Sequence, residues 1–168
     1  MVVLGVDSGT LSTGYGFVSQ SGSRLFALDF GAIRNAPATP HPERLLAIQE
    51  RLRSLIKEHR PERVALESVF VSKNARSALV LGQVRGVVMA TAMGEGVPVI
   101  EYSPNQVKTA VCGYGHAEKG QVQNMVKVIL GLASIPKPND ASDALALAIC
   151  SILREGFASK IAQAGARQ

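Results

Sequence analysis

Two acidic residues, Asp140 and Asp143, stand three positions apart at the start of the apolar run ALALAIC. One interpretation is structural, because aspartate is a favoured helix N-cap and acids in a first helical turn are stabilised by the helix dipole. The other is chemical. Residues at i and i+3 share one face of a helix, so the two carboxylates can hold a cation together if further acids converge on the same place.

The elements that must position these acids follow from the hydrophobic pattern and the turn residues. Strands are predicted at MVVLGVD, TGYGFVSQ, RLFALDFGAIR, ERVALES and VPVIEYS, and helices at about 42–59, 74–94, 105–111, 118–132 and from 140 onwards. Three strands joined by tight turns are followed by alternating helices and strands. This order predicts an α/β fold, a mixed five-stranded sheet flanked by helices.

Two further acids end predicted strands. Asp7 ends the first strand and Glu67 ends the fourth. Sites in open α/β sheets lie outside the strand ends, so both acids emerge at one edge if these strands are parallel neighbours. The last helix then has only to lay its first turn, with Asp140 and Asp143, at that edge.

Four carboxylates at one edge repel one another and shift one another's pKa. Divalent cations are the usual reason for such clustering, because Mg²⁺ prefers oxygen ligands. Two such ions about 3.5–4 Å apart can hold the attacking and leaving oxygens of a phosphoryl displacement. The net charge of +5 and the pI near 9.5 favour a polyanionic partner such as nucleic acid. A basic chain with an acidic metal pocket is typical of a nuclease.

Composition bounds the remaining possibilities. The 168 residues, 46% hydrophobic and 18% charged, predict one soluble globular domain at 1–156, followed by a flexible tail at 157–168. The apolar runs are too short for a membrane span, and the first residues lack the pattern of a signal peptide. The two cysteines, without metal-ligand spacing, predict reduced thiols and a cytoplasmic location.

Four ordered segments carry a resemblance: LGVDSGTLSTGYG, ALESVFVSKNARSALVLGQVRGV, PNQVKTAVCGYGHAEKGQVQNMV and DASDALALAIC. They resemble the successive signature blocks of the RuvC family of bacterial Holliday junction resolvases, over residues 2 to about 152. The resemblance implies a ribonuclease H-like fold and a homodimer that nicks two like-polarity strands of a four-way DNA junction symmetrically. It also implies Mg²⁺ or Mn²⁺, with two ions per active site, and the RuvA–RuvB branch-migration complex as partner.

The resemblance assigns roles to residues. Asp7, Glu67, Asp140 and Asp143 match the family's metal-binding carboxylates. They imply a metal-held water that attacks the scissile phosphate and leaves a 5′-phosphate and a 3′-hydroxyl. Lys119 is similar to a family lysine near that phosphate and is the lysine predicted to be catalytic. Lysines on a solvated helix face are the alternative interpretation.

The predicted DNA contacts also follow from the resemblance. Phe70 matches an aromatic residue that stacks on a base at the opened junction centre, although an aromatic at such a place is more often in the core. Lysine and polar residues nearby, and a second lysine of the third block, are expected to contact phosphates or bases. These are Lys73, Asn74, Arg76, Ser77, Lys108 and Lys119.

Two features depart from the pattern or stay open. Ser8 stands where the family usually has proline. Serine leaves the backbone after Asp7 less restricted than proline would. His116, near Lys119, is interpreted as a surface-loop residue, with a DNA contact or a proton shuttle as alternatives.

The helix at 74–94 carries an apolar stripe with small residues, which suits the core on one face and the family's dimer contact on another.

Three other functions compete with this one. DSGTLSTGYG also resembles the first phosphate loop of actin-like and sugar-kinase ATP-binding proteins, but no second such loop is present in the sequence. A junction-binding module without catalysis is the second alternative. The third is a ribonuclease H-like nuclease that acts on RNA–DNA hybrids or on another branched substrate.

Overall fold

The computed structural model describes residues 1–68 and 75–165, with side chains described as far as residue 156. In chain order the elements are β1 Val2–Asp7, β2 Ser12–Ser21, β3 Arg24–Arg34, α1 His41–His59, β4 Arg63–Glu67, α2 Ala75–Gly94, β5 Val99–Tyr102, α3 Pro104–Cys112, α4 Lys119–Ile129 and α5 Asn139–Gly165. The predicted helix at 118–132 was too long. Its helical part ends at Ile129, because Gly131 takes a left-handed φ of 63°. The division at 156/157 stays a prediction.

The five strands form one mixed sheet in the order β3-β2-β1-β4-β5. The first three strands are an antiparallel meander, whereas β1 pairs parallel with β4 and β4 pairs parallel with β5. The last pair in the β1–β4 register joins Val6 to Leu66. The predicted parallel neighbours are therefore confirmed, and Asp7 and Glu67 leave the sheet at the same edge.

Alternate strand residues face opposite sides of a sheet, and each side has its own core. On one side Leu4 and Val64 pack among buried residues of α1 and α2. On the other side Val3 and Ala65 pack among buried residues of α3, α4 and α5. The sheet is thus covered by helices on both faces, and α5 is the helix that carries the remaining acids to the sheet edge.

Glycines in β1 and β2 let α5 lie directly on the strands. A Cβ at Gly5 would overlap the backbone carbonyl of Ala144, and one at Gly14 would overlap the carbonyl of Asp140. A Cβ at Gly16 would come within 2.7 Å of the Leu145 side chain. The helix backbone can approach the sheet this closely only where no strand side chain intervenes. These glycines therefore set the depth at which the first turn of α5 lies.

Helix α2 is unusually apolar. It is long and apolar enough to cross a membrane by length and composition, although a helix packed against its own fold passes the same test. Val84, Val88 and Ala92 are buried against the rest of the domain. On the solvent side Leu79 is 71% exposed and Met93 is 61% exposed. One face of α2 therefore belongs to the core, and the opposite face leaves large apolar side chains uncovered.

Candidate active site

Three aspartates from two elements meet at the sheet edge. Asp7 comes from the end of β1, and Asp140 and Asp143 come from the first turns of α5. One carboxylate oxygen of each lies within 4.8 Å of the other two, and all three residues are partly buried. We call these residues the aspartate group. The fold brings together acids that are more than 130 positions apart in the chain.

Polar contacts hold the two α5 acids in place. The Ser12 hydroxyl, at the start of β2, donates a hydrogen bond to the Asp140 carboxylate. The Lys119 ammonium group, at the start of α4, donates to Asp143 Oδ2 over 2.6 Å. Each carboxylate of α5 is thus tied to a different element, which fixes its direction at the sheet edge.

Glu67 lies in the same cleft but not in the aspartate group. Its strand places it beside Asp7, and its backbone carbonyl accepts a hydrogen bond from Arg85 of α2. Glu67, Asp7 and Asp143 line one open pocket of about 370 Å³. The fourth predicted acid is therefore part of the site, although its carboxylate stands apart from the three clustered ones.

Burial and the closeness of several negative charges raise the pKa of two carboxyl groups in the site. The pKa of Asp7 is raised from 3.8 to about 7, and burial is the largest cause. The negative charges of Asp143, Glu67 and Asp140 add to this rise, and the Lys119 ammonium group opposes it. Burial, followed by the charge of Asp143, also raises the pKa of Glu67. The carboxylates of the cleft therefore repel one another, and a divalent cation would relieve this repulsion.

The two predicted lysines face the same pocket. Lys108 of α3 and Lys119 of α4 line it together with Asp7, Glu67 and Asp143. The hydrogen bond to Asp143 is the main cause that raises the pKa of Lys119, so this lysine is cationic at neutral pH. The pocket therefore combines carboxylates, which suit a cation, with two lysine side chains, which suit a phosphate.

Comparison with known proteins identifies the family. The profile of the family described as crossover junction endodeoxyribonuclease RuvC matches residues 3–151. The chain belongs to the RuvC family. It is 51% identical over 150 residues to the RuvC of Pelotomaculum thermopropionicum, which covers 89% of this chain and 92% of that one. It is 49% identical over 150 residues to the RuvC of Desulfitobacterium hafniense, which covers 89% and 91%.

A solved structure of the family agrees in fold. The structure of Thermus thermophilus RuvC in complex with a Holliday junction substrate superposes with a TM-score of 0.90 at 36% identity, covering 94% of this chain and 96% of that one. The predicted ribonuclease H-like fold is confirmed by this similarity. Membership of the RuvC family also favours a nuclease over the ATP-binding alternative.

The predicted DNA contacts fall partly inside the described residues of this RuvC-family chain. Arg76 and Ser77 lie in the first turn of α2 and are exposed. They line a groove together with Gly9 and Thr10 of the loop that follows Asp7. Phe70, Lys73 and Asn74 lie outside the described residues. His116 is exposed in the loop between α3 and α4, as predicted, and the Ser8 hydroxyl is buried without a hydrogen-bond partner among the described residues.

Sequence reasoning missed three contributors to the site. Ser12 lies in the block LGVDSGTLSTGYG but was given no role, yet its hydroxyl binds Asp140. The glycines of GVD and TGYG were not recognised as the contact surface for α5, although small residues repeated at every second position of a strand are a usable signal. Arg85 was read as part of an apolar helix, and its contact with Glu67 depends on tertiary structure that no local pattern reveals.

Proposed function

We propose that this protein is a Holliday junction resolvase, a metal-dependent endonuclease acting in homologous recombination and DNA repair. It makes paired symmetric nicks in four-way junctions and leaves 5′-phosphate and 3′-hydroxyl ends. Membership of the RuvC family and the similarity to a relative in complex with a Holliday junction support this. The observation that carries it is the aspartate group, of which Asp7 and Asp143 line a cleft together with Glu67 and two lysines.

The donor set fits a hard divalent cation. Carboxylate oxygens are the ligands that Mg²⁺ and Mn²⁺ prefer, and the raised pKa of Asp7 reflects, in part, repulsion that a cation would relieve. Asp7, Asp140 and Asp143 would hold one ion, and Glu67 would contribute to a second. Two such ions supply charge stabilisation to both oxygens of an in-line phosphoryl displacement.

Lys119 is the proposed catalytic lysine. Its ammonium group pairs with Asp143 in the cleft. If a cation held the carboxylates, this ammonium group would be available to stabilise a phosphate oxygen that becomes more negative in the transition state. Lys108 lines the same pocket from α3 and is proposed to bind a neighbouring phosphate.

Binding of the junction is assigned to the segment after β4 and to the start of α2. Phe70 is proposed to stack on a base, which contributes about 1–3 kcal/mol. Lys73, Asn74, Arg76 and Ser77 are proposed to contact phosphates or bases. The groove formed by the start of α2 and the loop after Asp7 supports this for Arg76 and Ser77.

The exposed face of α2 is proposed to form the homodimer contact. Between Leu79 and Met93 this face carries Gly82, Gly86 and Ala90, so that two helices can approach closely. Symmetric cutting needs two active sites related by a two-fold axis, which a C2 dimer provides. Cooperation with RuvA–RuvB and a cytoplasmic location are also proposed, on the strength of the family alone.

Cleavage of a synthetic mobile four-way junction tests the proposal. The junction is incubated with Mg²⁺ or Mn²⁺, beside a linear duplex and an RNA–DNA hybrid. Asp7→Asn removes a proposed metal-binding carboxylate, and Glu50→Gln on the exposed face of α1 is the matched control. Paired symmetric nicks on the junction alone, lost in Asp7→Asn and kept in Glu50→Gln, are the expected result.

Other outcomes select the alternatives. Tight junction binding without nicks in either metal would mean a binding module without catalysis. Preferential cutting of the hybrid would mean a ribonuclease H-like nuclease with a different substrate. Nicking that survives Asp7→Asn would contradict the role proposed for the aspartate group.

A further inference from the structure

Arg85 links α2 to the edge of the sheet where the site lies. Its side chain is only 12% exposed. One guanidinium nitrogen, Nη1, donates to the backbone carbonyl of Glu67, and the other, Nη2, donates to the carboxylate of Glu101 on β5. A single, largely buried side chain therefore connects α2, the end of β4 and the neighbouring strand.

The position of Glu67 depends on contacts outside the aspartate group. Glu67 is the last residue of β4, and its carboxylate is not among the clustered oxygens. On the β5 side, the Ser68 amide donates to the carbonyl of Tyr102 over 2.8 Å. On the α2 side, the described contact to Glu67 is the one from Arg85. The backbone that carries this carboxylate is thus held from two sides just where the strand ends.

Arginine is suited to this place. Its planar guanidinium group presents several donors in a fixed fork, so it can bind two acceptors in a defined relative geometry. A lysine would keep the charge but would have a single nitrogen for both acceptors. The bond to Glu101 orients the guanidinium group, and the second bond transmits that orientation to the backbone of Glu67.

We propose that Arg85 is a positioning residue that fixes Glu67 for cation binding and joins the proposed dimer helix to the active site. This inference rests on the proposed function. Removing a side chain that hydrogen-bonds to a metal ligand typically weakens metal affinity by about 10- to 100-fold. Arg85 faces the backbone of Glu67 and the carboxylate of Glu101, so its loss is expected to weaken cation binding rather than junction binding.

The test compares Arg85→Met and Arg85→Lys with Arg53→Met. Arg53 is a matched control because it also joins a helix to an acid, through its pair with Glu95 at 3.1 Å. Mg²⁺ binding to the protein without DNA is measured by calorimetry. The Mg²⁺ concentration that gives half-maximal cleavage and the KM for the junction are measured separately, and sedimentation reports the oligomeric state.

For Arg85→Met we expect the Mg²⁺ dissociation constant and the Mg²⁺ concentration for half-maximal cleavage to rise about 10-fold or more. The junction KM should stay within about twofold of wild type. Arg85→Lys should lie between, since it retains the charge and one donor. Arg53→Met should match wild type in all four measurements. If Arg85→Met does not fold, Arg85→Lys decides. A rise of about threefold or more in both Mg²⁺ measures supports the inference, and unchanged values overturn it.

The failure of this inference differs from the failure of the proposed function. A wild-type protein that neither binds Mg²⁺ nor cuts the junction would refute the function, and the role of Arg85 with it. A wild-type resolvase whose Arg85→Met variant has the Mg²⁺ dependence of Arg53→Met would refute only the positioning role. A change confined to the junction KM would also overturn it, because Arg85 would then be a DNA contact.

Discussion

An ionised Asp7 carboxylate destabilises the folded protein in the absence of metal, because it is largely removed from water and lies near other acids. Asp7→Asn should therefore stabilise the metal-free protein. In the fold its pKa is raised from 3.8 to about 7, first by burial and then by the neighbouring acids. An asparagine of nearly the same shape removes the buried negative charge. The same substitution is expected to abolish cation binding, so stability and function should change in opposite directions.

The pH dependence fixes the sign and the size of this effect. Below pH 3.8 the carboxyl group is protonated in both states, and it makes no difference to stability. Between 3.8 and about 7 the unfolded chain ionises Asp7 while the folded protein keeps the proton, so stability falls as pH rises. The cost is ~2 kcal/mol at pH 5 and ~4 kcal/mol at pH 8, where it levels off.

Urea unfolding in EDTA measures this directly. Asp7→Asn should be more stable than wild type by ~2 kcal/mol at pH 5 and by ~4 kcal/mol at pH 8, the latter equivalent to roughly 8–16 °C in Tm. The exposed Glu50→Gln variant should show no such pH-dependent difference.

Adding Mg²⁺ gives the second half of the test. Wild type should gain stability with rising Mg²⁺, because a ligand that binds only the folded state stabilises it by mass action. Asp7→Asn should gain little. The reasoning is refuted if Asp7→Asn is less stable than wild type in EDTA at pH 8, or if the difference between the two does not grow from pH 5 to pH 8.

Three further substitutions test other parts of the site. Lys119→Gln should lower kcat for junction cleavage by about 100-fold, as expected for loss of one transition-state donor, with junction affinity nearly unchanged in gel-shift assays. Gly14→Ala should cost about 1–3 kcal/mol in urea unfolding and weaken Mg²⁺ binding, because its Cβ overlaps the Asp140 carbonyl, whereas Gly156→Ala, with open space around it and far from the proposed dimer contact, should do neither. Met93→Lys should convert the proposed dimer to a folded monomer in sedimentation, since Met93 is exposed on α2.

The sequence was sufficient to predict the strands, because their alternating patterns and tight turns are local signals. The helix that connects β3 and β4 favours a parallel direction for β4, but the pairing of β4 with β1 was only a condition of the sequence-based hypothesis, which the structure meets. That pairing brings Asp7 and Glu67 to one edge. The convergence of these two acids with Asp140 and Asp143 was therefore a hypothesis that depended on this pairing, on the placement of the last helix and on the family resemblance.

The depth at which α5 lies on the sheet and the direction of the Arg85 side chain could not be predicted in the same way. The separation of Glu67 from the aspartate group depends on how far α5 sinks onto the sheet, which Gly5 and Gly14 decide through contacts with α5. The Arg85 contact depends on the angle at which α2 packs. Both are long-range packing outcomes, and the periodicity of a sequence carries no information about them.

The packing of α5 explains how the fold stays stable although its active-site acids repel one another. Acids that repel one another would move apart if they stood on flexible loops. Here two of them stand on a helix whose next turns are buried, with Leu145 and Ile149 fully inaccessible in the core. Burying one such side chain contributes about 1.5–3 kcal/mol, so a few of them offset the cost of ~4 kcal/mol for Asp7. The core on the α5 side, rather than any contact among the acids, therefore keeps the carboxylates together until a cation binds.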